Sequence, residues 1–232
     1  MKKFGILIFA AAVITGVCIA SSFSFGRINN RFFKFSFNEK TKGSGNIATE
    51  SRKLRDFKGI DVSGVFQVEV TAQKDFAVEV EADDNLLPLI QTEVRDGVLH
   101  IESEGRISTD NGLKVKIFAP DITSIDASGV SKITVADINN DYLRVCASGA
   151  TKAVVTGSTA KLSVEVSGAS AVDAENLRAL NAEVEASGAS SVSVFATGEL
   201  RTDASGASKI VYGGTPTNVE KSSSGASTIR EK

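Results

Sequence analysis

Four carboxylates recur at one position of an internal repeat, and their type and spacing could serve cation binding or acid–base chemistry. They stand two residues before a repeated serine and are Asp126, Glu165, Glu185 and Asp203. If the repeats stack as strands, these side chains form an outward column with about 5 Å between neighbours. Oxygen ligands at that spacing could hold a divalent cation weakly, whereas pairing with Arg144, Arg201 and nearby lysines would make the column a solvated face. We favour the solvated face and predict no metal site.

The repeated serines, His100 and Cys146 are the other groups that could carry chemistry. A nucleophilic serine needs a base beside it, and His100, the one histidine of the chain, lies outside the repeats. We interpret His100 as a strand-surface residue and Cys146, which interrupts the acidic column, as a tolerated surface residue. Asp83-Asp84-Asn85 is a turn cluster that could also bind a cation. The sequence contains no phosphate-binding loop, dinucleotide fingerprint or metal-ligand spacing, so we predict no catalytic residue and no cofactor.

These groups belong to six copies of a tetrapeptide of the type Ser-Gly-Ala-Ser, and the copies indicate the architecture. The glycines of successive copies are 20, 19, 20, 18 and 19 residues apart. Alternating strand-like flanks at such a period predict a solenoid of stacked coils. Each glycine supplies the backbone conformation of a narrow corner between two strands. The predicted corner residues are Gly129, Gly149, Gly168, Gly188, Gly206 and Gly225.

Alternate residues on either side of each corner predict which side chains face inward. The position three before the serine is apolar in most copies, as in Ile125, Val145 and Val164. In the last copy Lys221 occupies that position, which indicates a polar cap or a surface that meets another subunit. A mixed column after the corner should face solvent and contains Lys132, Lys152, Ala171, Ser191, Lys209 and Thr228.

Residues 45–119 precede the repeats of residues 120–232 and show shorter, less regular strand patterns. Within them, Ile60–Val65 matches residues 125–130 at five of six positions and is a degenerate seventh copy. The N-terminal part therefore repeats the same coil with insertions. We predict an all-β fold: a right-handed β-solenoid, or β-helix, of roughly 19-residue coils with an irregular N-terminal β part.

The start of the chain has the composition of an export segment. Residues 1–22 place two lysines before a long apolar run, as in a cleaved signal or an uncleaved membrane anchor. Cys18 follows a valine rather than the small residue of a lipoprotein signal, so we interpret it as part of the apolar run. Residues 23–44 form a basic, aromatic linker. Membrane contact through residues 4–37 is one interpretation of this region, and a poorly ordered tail or an extra edge strand is the other.

Composition limits the partners of the exported part. The formal net charge is −2, and 42% of the residues are hydrophobic, which allows one substantial core and excludes a nucleic-acid partner. The remaining partners are an envelope protein, a polysaccharide or a second copy of the chain.

Three segments in a fixed order resemble a known family. Phe57–Val70, Val78–Ile90 and Gly97–Ile101, followed by the Ser-Gly-Ala-Ser repeats, are similar to the head GIN domain family, described as "putative auto-transporter adhesins". The resemblance extends from about residue 45 to residue 232. It implies a β-solenoid exported by Bacteroidetes-type bacteria and a role in adhesion, and it supplies no catalytic residues.

We therefore predict an exported, non-enzymatic binding or structural module of the cell envelope, an adhesin or scaffold that acts through its solenoid faces. The predicted location is the periplasm or cell surface, with an inner-membrane anchor facing the periplasm as the alternative. Two other functions stay open. One is a carbohydrate-binding or carbohydrate-cleaving solenoid, for which the acidic column would supply the carboxylates. The other is a membrane-tethered envelope sensor.

Overall fold

The chain is all-β in the computed structural model, which describes residues 40–232. Regular structure in this range is strand, apart from one 3-10 turn at Leu87–Leu89. The predicted signal or anchor at 1–22, the segment 4–37 and all but the end of the linker at 23–44 lie outside the described residues. Within residues 40–232, no helix has the length and apolar character needed to cross a bilayer.

The strands fall into two groups along the chain. Those before the repeats are β1 (Lys40–Lys42), β2 (Ile47–Arg52), β3 (Gly59–Gly64), β4 (Gln67–Thr71), β5 (Ala77–Asp83), β6 (Ile90–Arg95), β7 (Val98–Ser103), β8 (Arg106–Ser108) and β9 (Lys114–Phe118). Those of the repeats are β10 (Ser124–Gly129), β11 (Lys132–Ala147), β12 (Lys152–Val166), β13 (Ala171–Ala186), β14 (Ser191–Ala196), β15 (Glu199–Ala204), β16 (Lys209–Gly213), β17 (Asn218–Ser223) and β18 (Thr228–Glu231).

The repeats pair as parallel strands, and each residue pairs with its counterpart in the next copy. Ile125 pairs with Val145, and Val145 pairs with Val164. We call the first ladder the set formed by β10, the C-terminal parts of β11 to β13, β15 and β17. The second ladder contains the N-terminal parts of β11 to β13, followed by β14, β16 and β18. The sequence repeat and the hydrogen-bond register therefore coincide.

Inward side chains of the two ladders form the core. Val145 and Val164 of the first ladder, and Ile133 and Val155 of the second, are at most 1% exposed. Burying an aliphatic side chain of this size contributes about 1.5–3 kcal/mol, so columns of them can hold the stack together. Because side chains alternate along a strand, the residues between them form the outer surface on which the candidate site lies.

Each corner needs glycine because successive copies of the repeat approach closely there. Gly149 has a φ of 77°, and a Cβ at this position would lie 2.5 Å from the carbonyl oxygen of Gly129. The N–H of Ala150 donates to that same oxygen at 2.8 Å, which fixes the approach. The other predicted corner residues have φ between 71° and 86° and are Gly129, Gly168, Gly188, Gly206 and Gly225.

The degenerate copy stacks directly on the first regular one. Ile60 pairs with Ile125 and Val62 with Ala127, both in parallel register. In the part of the chain before the repeats the pairing is mixed: β3 with β7 and β4 with β9 are parallel, whereas β5 with β9, β6 with β7 and β2 with β5 are antiparallel. At the opposite end, β17 pairs with β15 and β18 with β16. The stack thus begins with antiparallel strands and ends with two parallel edge strands.

Candidate binding face

The four predicted carboxylates lie in one column of the first ladder. In register order the column runs from Asp126 through Cys146, Glu165 and Glu185 to Asp203. Asp126 and Glu165 are half-buried, whereas Glu185 and Asp203 are exposed. The acidic groups are therefore arranged along a sheet face, one per strand, with the cysteine between the first two.

Two of these carboxyl groups have perturbed acidities. Burial raises the pKa of Asp126, against the opposing effect of the Arg144 charge. Partial burial of its carboxyl group also raises the pKa of Glu185, although the residue as a whole is exposed, and neighbouring carboxylates, Glu165 first among them, add to the effect. Like charges stacked one strand apart contribute to the raised pKa of both groups. The column would therefore be stabilised by any cationic group placed against it.

Arg144 binds the two carboxylates on either side of Cys146. Its Nη1 lies 3.5 Å from Asp126 Oδ1, and its Nη2 lies 3.2 and 3.3 Å from the two oxygens of Glu165. Cys146 is only 3% exposed, and its S–H donates to Asp126. The prediction that Cys146 is a surface residue is wrong, because a short outward side chain is covered when its longer neighbours pair across it.

His100 lies in the same column, although its position outside the repeats in the sequence did not indicate this. The register runs from His100 through Asp61 to Asp126. Nδ1 of His100 lies 3.0 Å from Oδ2 of Asp61. The sequence signal for this contact was the degenerate copy at Ile60–Val65, since it aligns Asp61 with Asp126. In residues 40–232, no three His, Cys, Asp or Glu side chains form a group that could hold a metal ion.

A notch interrupts the same face near its C-terminal end. It is an open cavity of about 290 Å³. One column of its lining contains Lys161, Asn181, Glu199 and Asn218, and the next contains Glu183, Arg201 and Glu220. The lining therefore alternates cations, carboxylates and amides over four successive strands. No prediction from the sequence identified it.

The notch lies beside the shortest copy of the repeat. The corner glycines Gly168 and Gly188 are 20 residues apart, whereas Gly188 and Gly206 are 18 apart. Gly198 lies between β14 and β15 of the shorter copy, and a Cβ at this position would lie 2.6 Å from Oδ1 of Asn181. That oxygen instead accepts a hydrogen bond from the N–H of Glu199 at 2.8 Å. The absence of a side chain on Gly198 leaves room for the Asn181 amide, and the hydrogen bond fixes that amide at the edge of the notch.

The turn cluster at Asp83 is occupied by protein donors. Asp83 is 1% exposed, and its Oδ1 accepts from the N–H of Gly45 at 2.7 Å and from Nδ2 of Asn111 at 3.0 Å. The hydroxyl of Thr109 donates to Oδ2. The Thr109 bond is the main cause of a lowered Asp83 pKa, and it outweighs the effect of burial. Hydrogen-bond donors thus fill the positions that a cation would need, and the cluster joins three chain segments.

The last copy of the repeat covers the C-terminal end of the core with a charged side chain. Nζ of Lys221 donates to the hydroxyl of Tyr212 at 2.7 Å and lies 4.6 Å from the ring centroid. Lys221 pairs in register with Thr202, which occupies the inward position of the preceding coil. The ammonium group therefore covers the end of the core, where a further coil would otherwise stack.

Comparison with known proteins gives one family and several similar folds. The family model described as "Putative auto-transporter adhesin, head GIN domain" matches residues 56–216. This match confirms the resemblance seen in the sequence. No curated protein matches the chain.

Three crystal structures share the fold. A "putative adhesin" from Bacteroides fragilis NCTC 9343 is 21% identical, with a TM-score of 0.69 over 83% of this chain and 100% of that one. A "putative adhesin" from Parabacteroides merdae ATCC 43184 is 19% identical, with a TM-score of 0.54 over 83% and 99%. A "putative lipid binding protein" from Parabacteroides distasonis ATCC 8503 is 20% identical, with a TM-score of 0.52 over 84% and 100%.

Proposed function

The chain belongs to the head GIN domain family, and from this premise we propose that it is an exported, non-enzymatic binding module of the bacterial cell envelope. The family description is that of an adhesin, a class of protein that works outside the cytoplasm. The observation that carries the proposal is the first ladder, whose outward side chains form continuous columns on one sheet face. Such a face offers an extended contact surface, as in other stacked-repeat proteins.

The architecture we propose for residues 45–232 is a right-handed β-solenoid. Parallel pairing at an offset of one sequence copy supports stacked coils of about 19 residues. The handedness rests on the strong preference of parallel crossover connections for the right hand. In this proposal residues 45–119 are the irregular part and residues 120–232 the repeats, preceded by a signal or anchor at 1–22 and a linker at 23–44.

A binding role is favoured over catalysis by where the acidic groups lie. Active sites usually enclose their reacting groups and exclude water. Here the carboxylates stand along the outer face of a sheet, and Glu185 and Asp203 are exposed. The partner we propose is an envelope protein or polysaccharide met in the periplasm or at the cell surface, or from an inner-membrane anchor facing the periplasm.

Two measurements on bacteria that make the full chain test this proposal. A membrane-impermeant amine reagent should label the chain on intact cells, or after the outer membrane alone is permeabilised, because Lys132, Lys152 and Lys209 are exposed. Beads coated with the purified chain should retain more bacterial cells than beads coated with the heat-unfolded chain. Labelling only after lysis of the cytoplasm, or equal retention by the two kinds of bead, would contradict the proposal.

A further inference from the structure

The notch differs in chemistry from the rest of the face. Its polar lining carries two cations, Lys161 and Arg201, and three carboxylates, Glu183, Glu199 and Glu220. Two amides, Asn181 and Asn218, stand between them. The local formal charge is therefore −1, and the carboxylate, amide and guanidinium groups are planar. Planar groups of this kind donate or accept two parallel hydrogen bonds, which suits a ligand with adjacent hydroxyl groups.

Other ligand classes fit the lining less well. A lipid tail needs a predominantly apolar wall, and a polyanion is repelled by the net negative charge. A metal ion is not favoured, because no three ligating side chains of the described residues form a suitable group. A hydroxyl-rich ligand satisfies the alternating donors and acceptors, and a cationic group on it would also pair with the excess carboxylate.

One polar contact in the notch is weak, and another already holds an amide in a fixed orientation. Nη1 of Arg201 lies 3.5 Å from Glu220, and both side chains are at least 70% exposed. Exposed ion pairs of this kind contribute about 0–1 kcal/mol, so ligand hydroxyls can replace the pair at little cost. Oδ1 of Asn181 is fixed by the N–H of Glu199, which leaves Nδ2 as the donor of that amide.

An exposed aromatic ring extends the column at one end of the notch. Tyr142 pairs in register with Lys161 and is 40% exposed. A tyrosine ring presents a large rigid surface against which the C–H face of a sugar can pack. The predicted acidic column has no such ring, whereas the neighbouring column supplies one on the strand next to Lys161 of the notch.

We infer that the notch is an oligosaccharide-binding site, with Arg201, Glu183 and Glu199 as the main hydroxyl-binding groups and Tyr142 as a stacking surface. The inference rests on the proposed binding function and names its ligand class. Because the local charge is negative, amino-sugar oligomers bind more tightly than neutral ones, and uronic-acid oligomers bind least.

Calorimetric titration of the full chain with three probes tests this assignment. The probes are the tetramers of glucosamine, N-acetylglucosamine and galacturonic acid. We expect saturable binding of the first two and at least a tenfold loss of affinity for both in Glu183→Gln. The uncharged N-acetylglucosamine tetramer should lose as much in Arg201→Ala, since each substitution removes charge-assisted hydrogen bonds. Tyr142→Ala should weaken binding as well. The matched control is Lys209→Ala, an exposed cation of the second ladder, which should leave the affinity unchanged.

Several outcomes would overturn the inference. They are the absence of saturable binding to all three probes, binding that survives both notch substitutions, and binding lost equally in Lys209→Ala. Since these side chains are exposed or half-buried, circular dichroism of each variant should show a folded β protein. If beads coated with the wild-type chain still retain cells while the probes do not bind, the proposed function stands and the oligosaccharide site is wrong.

Discussion

At the scale of single residues, the amino acid type is most strictly required where neighbouring backbone leaves no space for a side chain. Successive corners approach so closely that a Cβ on Gly168 would lie 2.6 Å from the carbonyl oxygen of Gly149. Asp83 is fixed in the opposite way, by several donors that converge on one buried carboxylate. Gly168 is required because there is no space for a side chain, and Asp83 is required because several donors bind its carboxylate. The two positions therefore respond to different substitutions.

Replacing Gly168 with alanine should destabilise the domain by about 1–3 kcal/mol or more. Its φ of 72° is unfavourable for a residue with a Cβ, and the carbonyl of Gly149 must also move. Urea unfolding followed by circular dichroism measures the change. Ala169→Ser, at the next and exposed position of the same corner, is the control and should unfold with the wild type. Equal midpoints for Gly168→Ala and wild type would refute the steric account of the corner.

Asp83→Asn should destabilise the domain at neutral pH and much less at acid pH. Hydrogen bonds hold the folded pKa of Asp83 below its ordinary value of 3.8. A lowered carboxyl pKa stabilises the fold above the ordinary value, and that contribution disappears as the pH falls through the folded pKa. Thermal unfolding of both proteins between pH 7 and pH 2 should therefore show midpoints that converge below about pH 4. A constant difference across this range would mean that the charge of Asp83 is not involved.

At the scale of elements, strand register turns a repeated sequence into columns of like side chains. In the first ladder this places Glu165, Glu185 and Asp203 on adjacent strands. Arg144 neutralises one end of the column through Asp126 and Glu165. Farther along, burial and the neighbouring carboxylates raise the pKa of Glu185. The first ladder therefore has favourable packing of apolar side chains on its inner face and repulsion between carboxylates on its outer face.

Glu185→Gln should stabilise the domain at neutral pH. Because the folded pKa of Glu185 lies above its ordinary value of 4.5, the ionised group opposes folding at higher pH, and this cost is absent below the ordinary value. Unfolding midpoints should favour the variant at pH 7 and agree with the wild type near pH 3. Added salt should reduce the difference at pH 7 by screening. A destabilised variant at pH 7 would show that Glu185 has a favourable partner in the fold.

At the scale of the whole molecule, the two ends of the sheet consist of different kinds of strand. Antiparallel strands end the N-terminal side, whereas β17 and β18 are parallel edge strands at the other. Edge strands invite pairing with another chain, and an inward-pointing charge is one means of preventing it. Lys221, bound to Tyr212, occupies such a position.

Lys221→Val should promote association of the chain through its C-terminal end. The substitution removes the charge that covers the core and leaves Tyr212 without its hydrogen-bond donor. Sedimentation velocity over a range of protein concentrations should show a larger species for the variant than for the wild type. Lys209→Ala, on the exposed side of the second ladder, should sediment as the wild type does. Identical behaviour of Lys221→Val and wild type would mean that the ammonium group does not limit association.

The sequence by itself indicated the strands of the repeats and their register, because these depend on local periodicity. Alternation and a period near 19 residues defined which side chains share a column, and the parallel pairing of Ile125, Val145 and Val164 follows that alignment. The degenerate copy at Ile60–Val65 likewise pointed to the coil on which β10 stacks. The family resemblance used the same motifs and their order.

Only the tertiary structure decided what happens between columns and at irregular coils. Cys146 is buried because Arg144 reaches two carboxylates on other strands, and the length and direction of side chains are not visible in a repeat pattern. His100 joins Asp61 through pairing of β3 with β7, which lie far apart in sequence. The notch includes Glu199 and Arg201 of the shortest copy, in which the corner glycines are 18 rather than 20 residues apart. Such features depend on contacts across strands, whereas the period of a sequence specifies only the regular part of the stack.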